Sequence, residues 1–450
     1  MSTNSKFLGT ESVHKLIIKF GSFAVITMFA TGAVNVVGTL IISRGIDIYA
    51  VGAIGLLFPL VTVFFGFSQL ISIGAASYIS RMLGEDKKEA VLSAIVISYV
   101  LTLLISISLM LGTWFFKENI LDFLGATGEY TELSRTYLNV FIYSIPFTAM
   151  VLLSSAIFRA YGNLKLSMFV ILVESTLIIA LDYLFIYIFG TGITGVAISH
   201  ILAGICAATL GIFLLIKLNG GVQVFKEALK WDFAIISGIS SIGISALGRS
   251  LAGAAFALVL NRTISALGGD DPIAALGTVN RIILFLTFTV MGISQAMQPV
   301  VSYNFSAEKS DRVKAALKYG LIYSGIIGLV GSILGIFLPR QIVSIFTNHS
   351  EVLDHATVSF RMQLVLFVTI GLQTLSATYF QAIGKAWLSF FLSVFKPLLI
   401  LIPLVYLLPS VLDDSVATVW WVFPISDILA TVICFLILRK GVKNLSSKVV

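Results

Sequence analysis

Two stretches decide how this chain is read. "GFSQLISIGAASYISRMLGEDKKEA" runs from 66 to 90, and "GISQAMQPVVSYNFSAEKSDRVKAA" runs from 292 to 316. Each begins as an apolar run with small and amide residues and ends in a charged, basic connection. Gly66 and Gln69 match Gly292 and Gln295, and Gly84-Glu85 matches Ala307-Glu308 after a small indel. A second pair, "IFRAYGNLKLS" (157–167) and "YFQAIGKAWLS" (379–389), repeats at a similar offset, as do "YAVGAIG" (49–55) and "IAALGTV" (273–279). The offset stays near 222–226 residues, half of the 450-residue chain. The chain is therefore an internal duplication.

The unit being duplicated is a membrane bundle. Hydrophobic residues make up 58% of the sequence and charged residues 11%, roughly half the charge of a soluble domain. Apolar runs of about 20 residues recur from end to end, each long enough to cross a bilayer as a helix. They lack the two-residue alternation of a barrel. Twelve segments are expected, at roughly 14–43, 50–80, 91–117, 131–157, 163–190, 193–217, 232–267, 272–304, 314–345, 353–381, 386–410 and 417–439. The fold class is an all-α polytopic membrane protein. Its expected divisions are an N-terminal six-helix lobe (1–217), a cytoplasmic linker (218–231) and a C-terminal six-helix lobe (232–450). An even number of spans separates the copies, so both keep one orientation, a known transporter plan.

Charge sorts the connections. The N-terminus, the even-numbered loops and the C-terminus carry most of the Lys and Arg, among them Lys87, Lys88, Lys217, Lys226, Lys230, Lys309 and Lys440. The odd-numbered loops hold few bases and collect Asp270, Asp271, Asp413 and Asp414. Basic loops stay in the cytoplasm, so both termini are expected there, in a multi-pass protein of the cytoplasmic membrane. The N-terminus shows no signal-peptide cleavage pattern. The net charge of +7 reports this bias and needs no nucleic-acid partner. Cys206 and Cys434 fall in apolar runs without metal or redox spacing and are read as packing residues. No P-loop pattern is visible, so no nucleotide is expected as driver.

Ionisable residues inside apolar runs are costly and mark function. "ESTLIIALDYLFIYIFGTGITGVAISH" (174–200) holds Glu174, Asp182 and His200 with no Lys or Arg. Glu174 and Asp182 lie about 80° apart around one helix and about 12 Å apart along it, so they can line one cavity at two depths. Asp182 and His200 are expected to face each other at similar depth across the GTG turn. Such groups can take and release protons as access alternates. The C-terminal half instead places Arg249, Arg281, Arg361 and Lys396 within spans, Arg281 and Arg361 near span ends where they can snorkel, with Asp427 as the lone acid. Lys396 stands at the repeat position of Glu174 (396 − 174 = 222). Its expected partners are Asp427 or backbone carbonyls. Asn35, Gln69, Arg249, Asn261, Gln295, Gln298 and Lys396 are the candidates for lining a cargo cavity.

At the repeated motifs the sequence resembles the multidrug and toxic compound extrusion (MATE) family, in particular its bacterial and archaeal multidrug-efflux branch. The similar stretches are 66–85, "IAALGTVNRIILFLTFTVMGISQAMQPVVSYNFSAEKSDRVKAAL" (273–317), "FRAYGN" (158–163), "LDYLFIYIFGTGITGVA" (181–197) and "FQAIGK" (380–385). The resemblance covers essentially the whole chain, and the Gln-x-x-Gln-Pro-x-x-x-Tyr-Asn block (295–304) is its most specific part. It implies two six-helix bundles forming a V-shaped cleft that opens alternately to each side. It also implies export of amphipathic organic cations driven by inward H⁺ or Na⁺. The chain departs from the family pattern on three helices. Gly38 stands where many relatives carry a first-helix Asp. Asp182 is kept, but Ile178 and Tyr183 replace the Asn and Pro around it. His200 replaces a Thr, and Glu174 has no counterpart in the pattern.

The expected function is thus a secondary active antiporter, with H⁺ as coupling ion, no organic cofactor and no metal. Na⁺ coupling is the alternative. Its partners are a small amphipathic substrate and the lipid bilayer, and a monomer is expected. A second reading is a flippase or exporter of lipid-linked or anionic amphipathic cargo, motivated by Arg249 and Lys396. A remote third is an intramembrane enzyme using Glu174, Asp182 and His200, for which no nucleophile motif or metal spacing is present.

Overall fold

A computed structural model describes residues 6–124, 129–221, 231–347, 349–413 and 415–446. Twelve helices among them are long and apolar enough to cross a membrane. In chain order they are α1 Val13–Gly45, α2 Phe58–Gly84, α3 Lys88–Phe123, α4 Thr131–Ala160, α5 Leu164–Ile188, α6 Gly192–Leu218, α7 Phe233–Gly268, α8 Asp271–Ser306, α9 Ser310–Phe337, α10 Ser350–Ala382, α11 Ala386–Val411 and α12 Val416–Lys443. Each expected segment has its helix. Within a bilayer every backbone N–H and C=O must be satisfied inside the segment, and helices do this without partners.

The contacts divide into two compact units. One comprises Met1–Thr10 and Ile26–Ser250, the other Glu11–Val25 and Leu251–Val450. The start of α1 thus groups with the second half of the chain, and the start of α7 groups with the first. Most of the 218–231 segment, expected as linker, lies outside the described residues, as does Asp414.

The duplication is written into the backbone at one constant offset. In the first unit Ser80 Oγ donates to Ala160 O at 3.3 Å; in the second Ser302 Oγ donates to Ala382 O at 3.0 Å. Asp86 (φ 55°) and Glu308 (φ 58°) hold left-handed turns after α2 and α8, and Gly162 (φ 75°) and Gly384 (φ 79°) do so after α4 and α10. The loop bonds agree, Lys87 N to Met82 O at 2.9 Å and Lys309 N to Asn304 O at 2.8 Å. All of these pairs are 222 residues apart (302 − 80, 308 − 86, 384 − 162). The indel expected near residue 85 is therefore not present. The proposed pairing of Gly66 with Gly292, an offset of 226, is displaced by four residues, one helical turn.

Each unit has its own apolar core. In the first, Ile71, Ile79, Leu153, Phe158 and Val170 pack with Ile235 and Ile239 from the start of α7. A second cluster around Leu57, Tyr137, Leu138 and Ile186 lies within the same unit. In the second unit Leu260, Leu276, Val405 and Trp420 form one cluster, and Val279, Phe360 and Phe367 another. Glycines let the helices approach closely. A Cβ at Gly243 of α7 would stand 1.8 Å from Leu70 O of α2, and one at Gly74 would stand 2.1 Å from Ile239 O. Small residues at such crossings substitute for the hydrophobic effect, which is absent between helices in lipid.

Candidate functional site

Asp182 lies in the first unit, on α5, and is 2% exposed. Its helix has regular geometry to Tyr183 and then widens into a π turn at Leu184–Ile188, a distortion that recurs at functional sites. One carboxylate oxygen, Oδ1, is sealed from solvent and makes no hydrogen bond. The other, Oδ2, would be 3.7 Å from a Cβ at Gly38 of α1. So the first-helix position at which the family resemblance implies an acid faces Asp182, and here it supplies only backbone. The hydroxyl within hydrogen-bonding reach of the carboxyl is that of Ser199 on α6. Ser199 also reaches the Gly195 carbonyl at 2.9 Å.

His200, one residue on, does not pair with Asp182. Its ring meets Phe141 edge-on with centroids 5.5 Å apart, and Phe141 stacks on Tyr137 at 5.0 Å. Tyr137, buried on α4, lies within electrostatic reach of Asp182. The expected facing pair is replaced by a direct contact to Ser199 and an indirect aromatic chain to His200. One helical step of 100° explains it: turning α6 to put Ser199 on α5 turns His200 toward α4.

Glu174 is also buried, 8% exposed, two turns nearer the start of α5. The hydroxyl of Thr148 on α4 lies within hydrogen-bonding reach of it. The first unit therefore holds two carboxyls on one helix, each met by a single hydroxyl from a different neighbour. Neither has a basic partner among the described residues.

The second unit is built differently. Lys396 Nζ lies 2.5 Å from Asp427 Oδ1 and donates to Gln373 Oε1 at 2.9 Å. Gln373 Nε2 in turn donates to Asp427 Oδ1 at 3.1 Å, Thr369 Oγ1 at 3.1 Å and Thr431 Oγ1 at 3.2 Å. The Lys396–Asp427 pairing expected from sequence is present, and Gln373 closes it into a network joining α10, α11 and α12. Its charge is internally balanced. A π turn begins at Lys396 itself and runs to Leu401.

The cargo candidates separate by unit. Asn35, Gln69 and Arg249 belong to the first, and Asn261, Gln295, Gln298 and Lys396 to the second. Asn35 is exposed and donates to Thr31 O at 3.2 Å, while Thr39 Oγ1 donates to Asn35 O at 2.7 Å. At 100° per residue Asn35 points about 100–180° away from the exposed apolar side chains Ile26, Phe29, Val36 and Leu40 of α1. Its stripe thus opens away from the apolar face. Gln298 is buried, and Asn261 is exposed. Among the described residues no cluster of three His, Cys, Asp or Glu side chains could hold a metal.

Ser199, Thr148, Tyr137 and Gln373 are polar contacts that sequence reading missed. Gln373, a lone amide in an apolar run, carried the strongest signal of the four.

Known proteins bear on this arrangement. The MatE family model matches the chain twice, over residues 24–184 and 247–407. The multidrug export protein MepA of Staphylococcus aureus (strain MSSA476) is 29% identical over 341 residues, 75% of this chain and 75% of that protein. MepA of Staphylococcus aureus (strain bovine RF122 / ET3-1) is 27% identical over 394 residues, 87% of this chain and 86% of its own length. Among solved structures, an outward-facing multidrug resistance MATE family transporter of the MOP superfamily superposes with a TM-score of 0.93 at 21% identity, covering 98% of each chain. A MOP superfamily transporter from Pyrococcus furiosus, described by the reverse polarity of its binding pocket, gives 0.92 at 20% identity over 99% of each. The two matched stretches are offset by 223 residues (247 − 24), in step with the duplication seen in loops and helix contacts. The chain belongs to the MatE family.

Proposed function

We propose that this protein exports amphipathic organic compounds, drugs and cationic dyes among them, from the cytoplasm in exchange for protons, by alternating access. It sits in the cytoplasmic membrane with both termini inside, as the Lys and Arg distribution of its loops favours. Membership of the MatE family and likeness to multidrug export proteins support the export function.

The observation that carries proton coupling is the Asp182 carboxyl, with Oδ1 sealed and partnerless and Gly38 opposite. A desolvated metal ion needs several oxygens to replace its hydration shell. Gly38 removes the second carboxylate that could have supplied them, and Asp182 is left with a hydroxyl. A proton needs only one oxygen. The Ser199 hydroxyl provides a two-position switch. Beside ionised Asp182, its single hydrogen serves the carboxylate. Beside protonated Asp182, Ser199 accepts the acid's O–H and gives its own hydrogen to Gly195 O. Burying an ionised carboxyl without full compensation is costly, so uptake of the proton lets α5 and α6 pack in a state that the charged form opposes. A coupling of about 1–3 kcal/mol between proton and cargo suffices for exchange. Glu174, about 12 Å along the same helix, is the second proton-carrying group, and His200 acts on Asp182 only through Phe141 and Tyr137.

Cargo binding to purified protein across pH tests this. Deprotonated Asp182 is the high-affinity state, so wild-type affinity falls as pH drops. Asp182→Asn mimics the protonated state and holds the low affinity at every pH. Unchanged pH dependence in Asp182→Asn places the coupling proton elsewhere.

A further inference from the structure

The partly buried cations Arg159, Arg249 and Lys396 differ in their partners. Lys396 is neutralised by Asp427. Arg159 spends one guanidinium nitrogen on the hydroxyls of Ser155 and Ser167, at 2.8 Å and 3.3 Å, near the end of α4. Arg249 has neither kind of partner. Among the described residues no carboxylate, hydroxyl, carbonyl or ring is paired with it.

Its orientation sets it apart from the usual lone arginine of a span, which lies along lipid and snorkels to a headgroup. Arg249 is about 24 Å from the start of α7 and about 28 Å from its end, at 1.5 Å per residue. The 36 residues of α7 run well past a hydrocarbon core of about 30 Å, so the direction of the side chain decides, and it does not point into lipid. At 100° per residue, it lies about 140–180° around the helix from Phe233, Ile244, Leu251 and Leu258, the exposed apolar side chains of α7. It lies within about 60° of Ile242, Ser245, Ala246 and Ala252, all buried. The guanidinium is nonetheless not sealed. Among the described residues the fully buried side-chain polar atoms lacking partners are Ser72 Oγ, Thr102 Oγ1, Asp182 Oδ1 and Tyr379 OH, and none belongs to Arg249. Arg249 itself is only partly buried. An unpaired cation deep in a long helix, turned inward and not sealed, is placed as intramembrane charges are when they face water rather than lipid.

The duplication gives an independent reading of that face. Arg249 occupies the repeat position of Thr27 (249 − 27 = 222). Thr27, itself buried, begins the Thr31, Asn35, Thr39 stripe of α1, which lies away from the exposed apolar side chains of that helix. Where the first half offers neutral hydroxyls and an amide, the second offers a fork of five N–H donors that suits an oxyanion.

We infer that Arg249 binds an anionic group of the cargo, a carboxylate, sulfonate or phosphate, so that the exporter takes zwitterionic or anionic amphipaths as well as cations. This rests on the export function proposed above and adds to it the charge class of the substrate. The same oxyanion chemistry is offered by soluble amphipaths and by anionic lipid headgroups.

The test uses the full-length protein in phosphatidylcholine nanodiscs with a matched pair of dyes, rhodamine B and its methyl ester, which differ only in the free carboxylate. Arg249→Gln is expected to weaken rhodamine B binding about tenfold or more, the scale of a charge-assisted hydrogen bond, and to leave the ester unchanged. Arg249→Lys keeps the charge and retains most of the rhodamine B affinity, and ester binding reports that each variant is folded. Adding phosphatidylglycerol distinguishes the source. If it displaces rhodamine B from wild type but not the ester, a lipid headgroup shares the site; if it displaces neither, soluble anions are its occupants. Equal effects of Arg249→Gln on both dyes, or none on either, overturn the inference while leaving export intact. A wild type that binds neither dye contradicts the export reading itself, and the inference falls with it.

Discussion

At the scale of residues, each buried carboxyl of α5 has one hydroxyl partner, so conservative changes separate their roles. Glu174→Gln keeps an acceptor for Thr148 and leaves Asp182 untouched. It should preserve the pH dependence of cargo binding and lower pH-driven efflux by less than about tenfold, the range of a modest coupling term. Loss of the pH dependence in binding would make Glu174 the primary proton site. At Gly38 there is room for one methyl group, since the added carbon would be in ordinary contact with Asp182 Oδ2 at 3.7 Å. Gly38→Ala should unfold no more readily than wild type, with about 0.5–1 kcal/mol available from the helix preference of Ala over Gly, and should still export. A large loss of thermal stability would show that α1 and α5 are closer than this. The carboxyls themselves were legible in the sequence because ionised groups in apolar runs are rare. Their partners were not. Ser and Thr are common in these helices and mostly bond back to their own backbone, as Thr31 does to Thr27 O and Ser98 to Ala94 O. Only packing selects Ser199 and Thr148 from that background. The same limit explains His200. Its residue type suggested a titrating partner for Asp182, and a single helical step gave that contact to its neighbour.

At the scale of elements, close helix crossings make sharper predictions than composition does. Gly243→Ala would drive a Cβ to 1.8 Å from the Leu70 carbonyl, a backbone atom that cannot rotate away. It should destabilise the protein by about 1–3 kcal/mol or more, the cost of overpacking. At Gly253, on the same helix, an added Cβ meets nothing within 4 Å. Gly253→Ala should be neutral or slightly stabilising. Thermal unfolding of the two variants in detergent checks this, and equal melting temperatures would contradict the α2–α7 crossing. The spans were legible because length and apolarity suffice to specify them. The register of the repeat was legible only in part. "FRAYGN" and "FQAIGK" end at turns that need positive φ at Gly162 and Gly384, and they give the offset correctly. Gly66 and Gly292 sit inside apolar helices, where a slip of four residues returns to the same face and matches almost as well. Turn chemistry fixes register more sharply than helix composition does.

For the whole molecule, orientation follows from the loops. Impermeant thiol labelling of single-Cys variants in intact cells should leave sites near Lys217 and Trp231 silent and label sites beside Asp271 and Asp413. The reverse pattern would invert the topology and with it the direction of transport. The contrast between the units also belongs to this scale. The first holds acids met only by hydroxyls, the second a closed Lys396–Asp427–Gln373 network. A group that exchanges protons must be able to change its charge, and a balanced network resists such change. Under the proposed mechanism the coupling chemistry therefore belongs to the first unit.

The central claim is proton-coupled export, and transport by reconstituted protein under separately imposed gradients tests it most directly. Purified protein in sealed liposomes is loaded with a cationic dye, and a pH gradient or a Na⁺ gradient is applied alone with the membrane potential clamped. The account predicts dye movement against its gradient when protons alone run the opposite way, none with Na⁺ alone, and none with Asp182→Asn under either condition. Dye movement that follows a Na⁺ gradient at equal pH on both sides would contradict it.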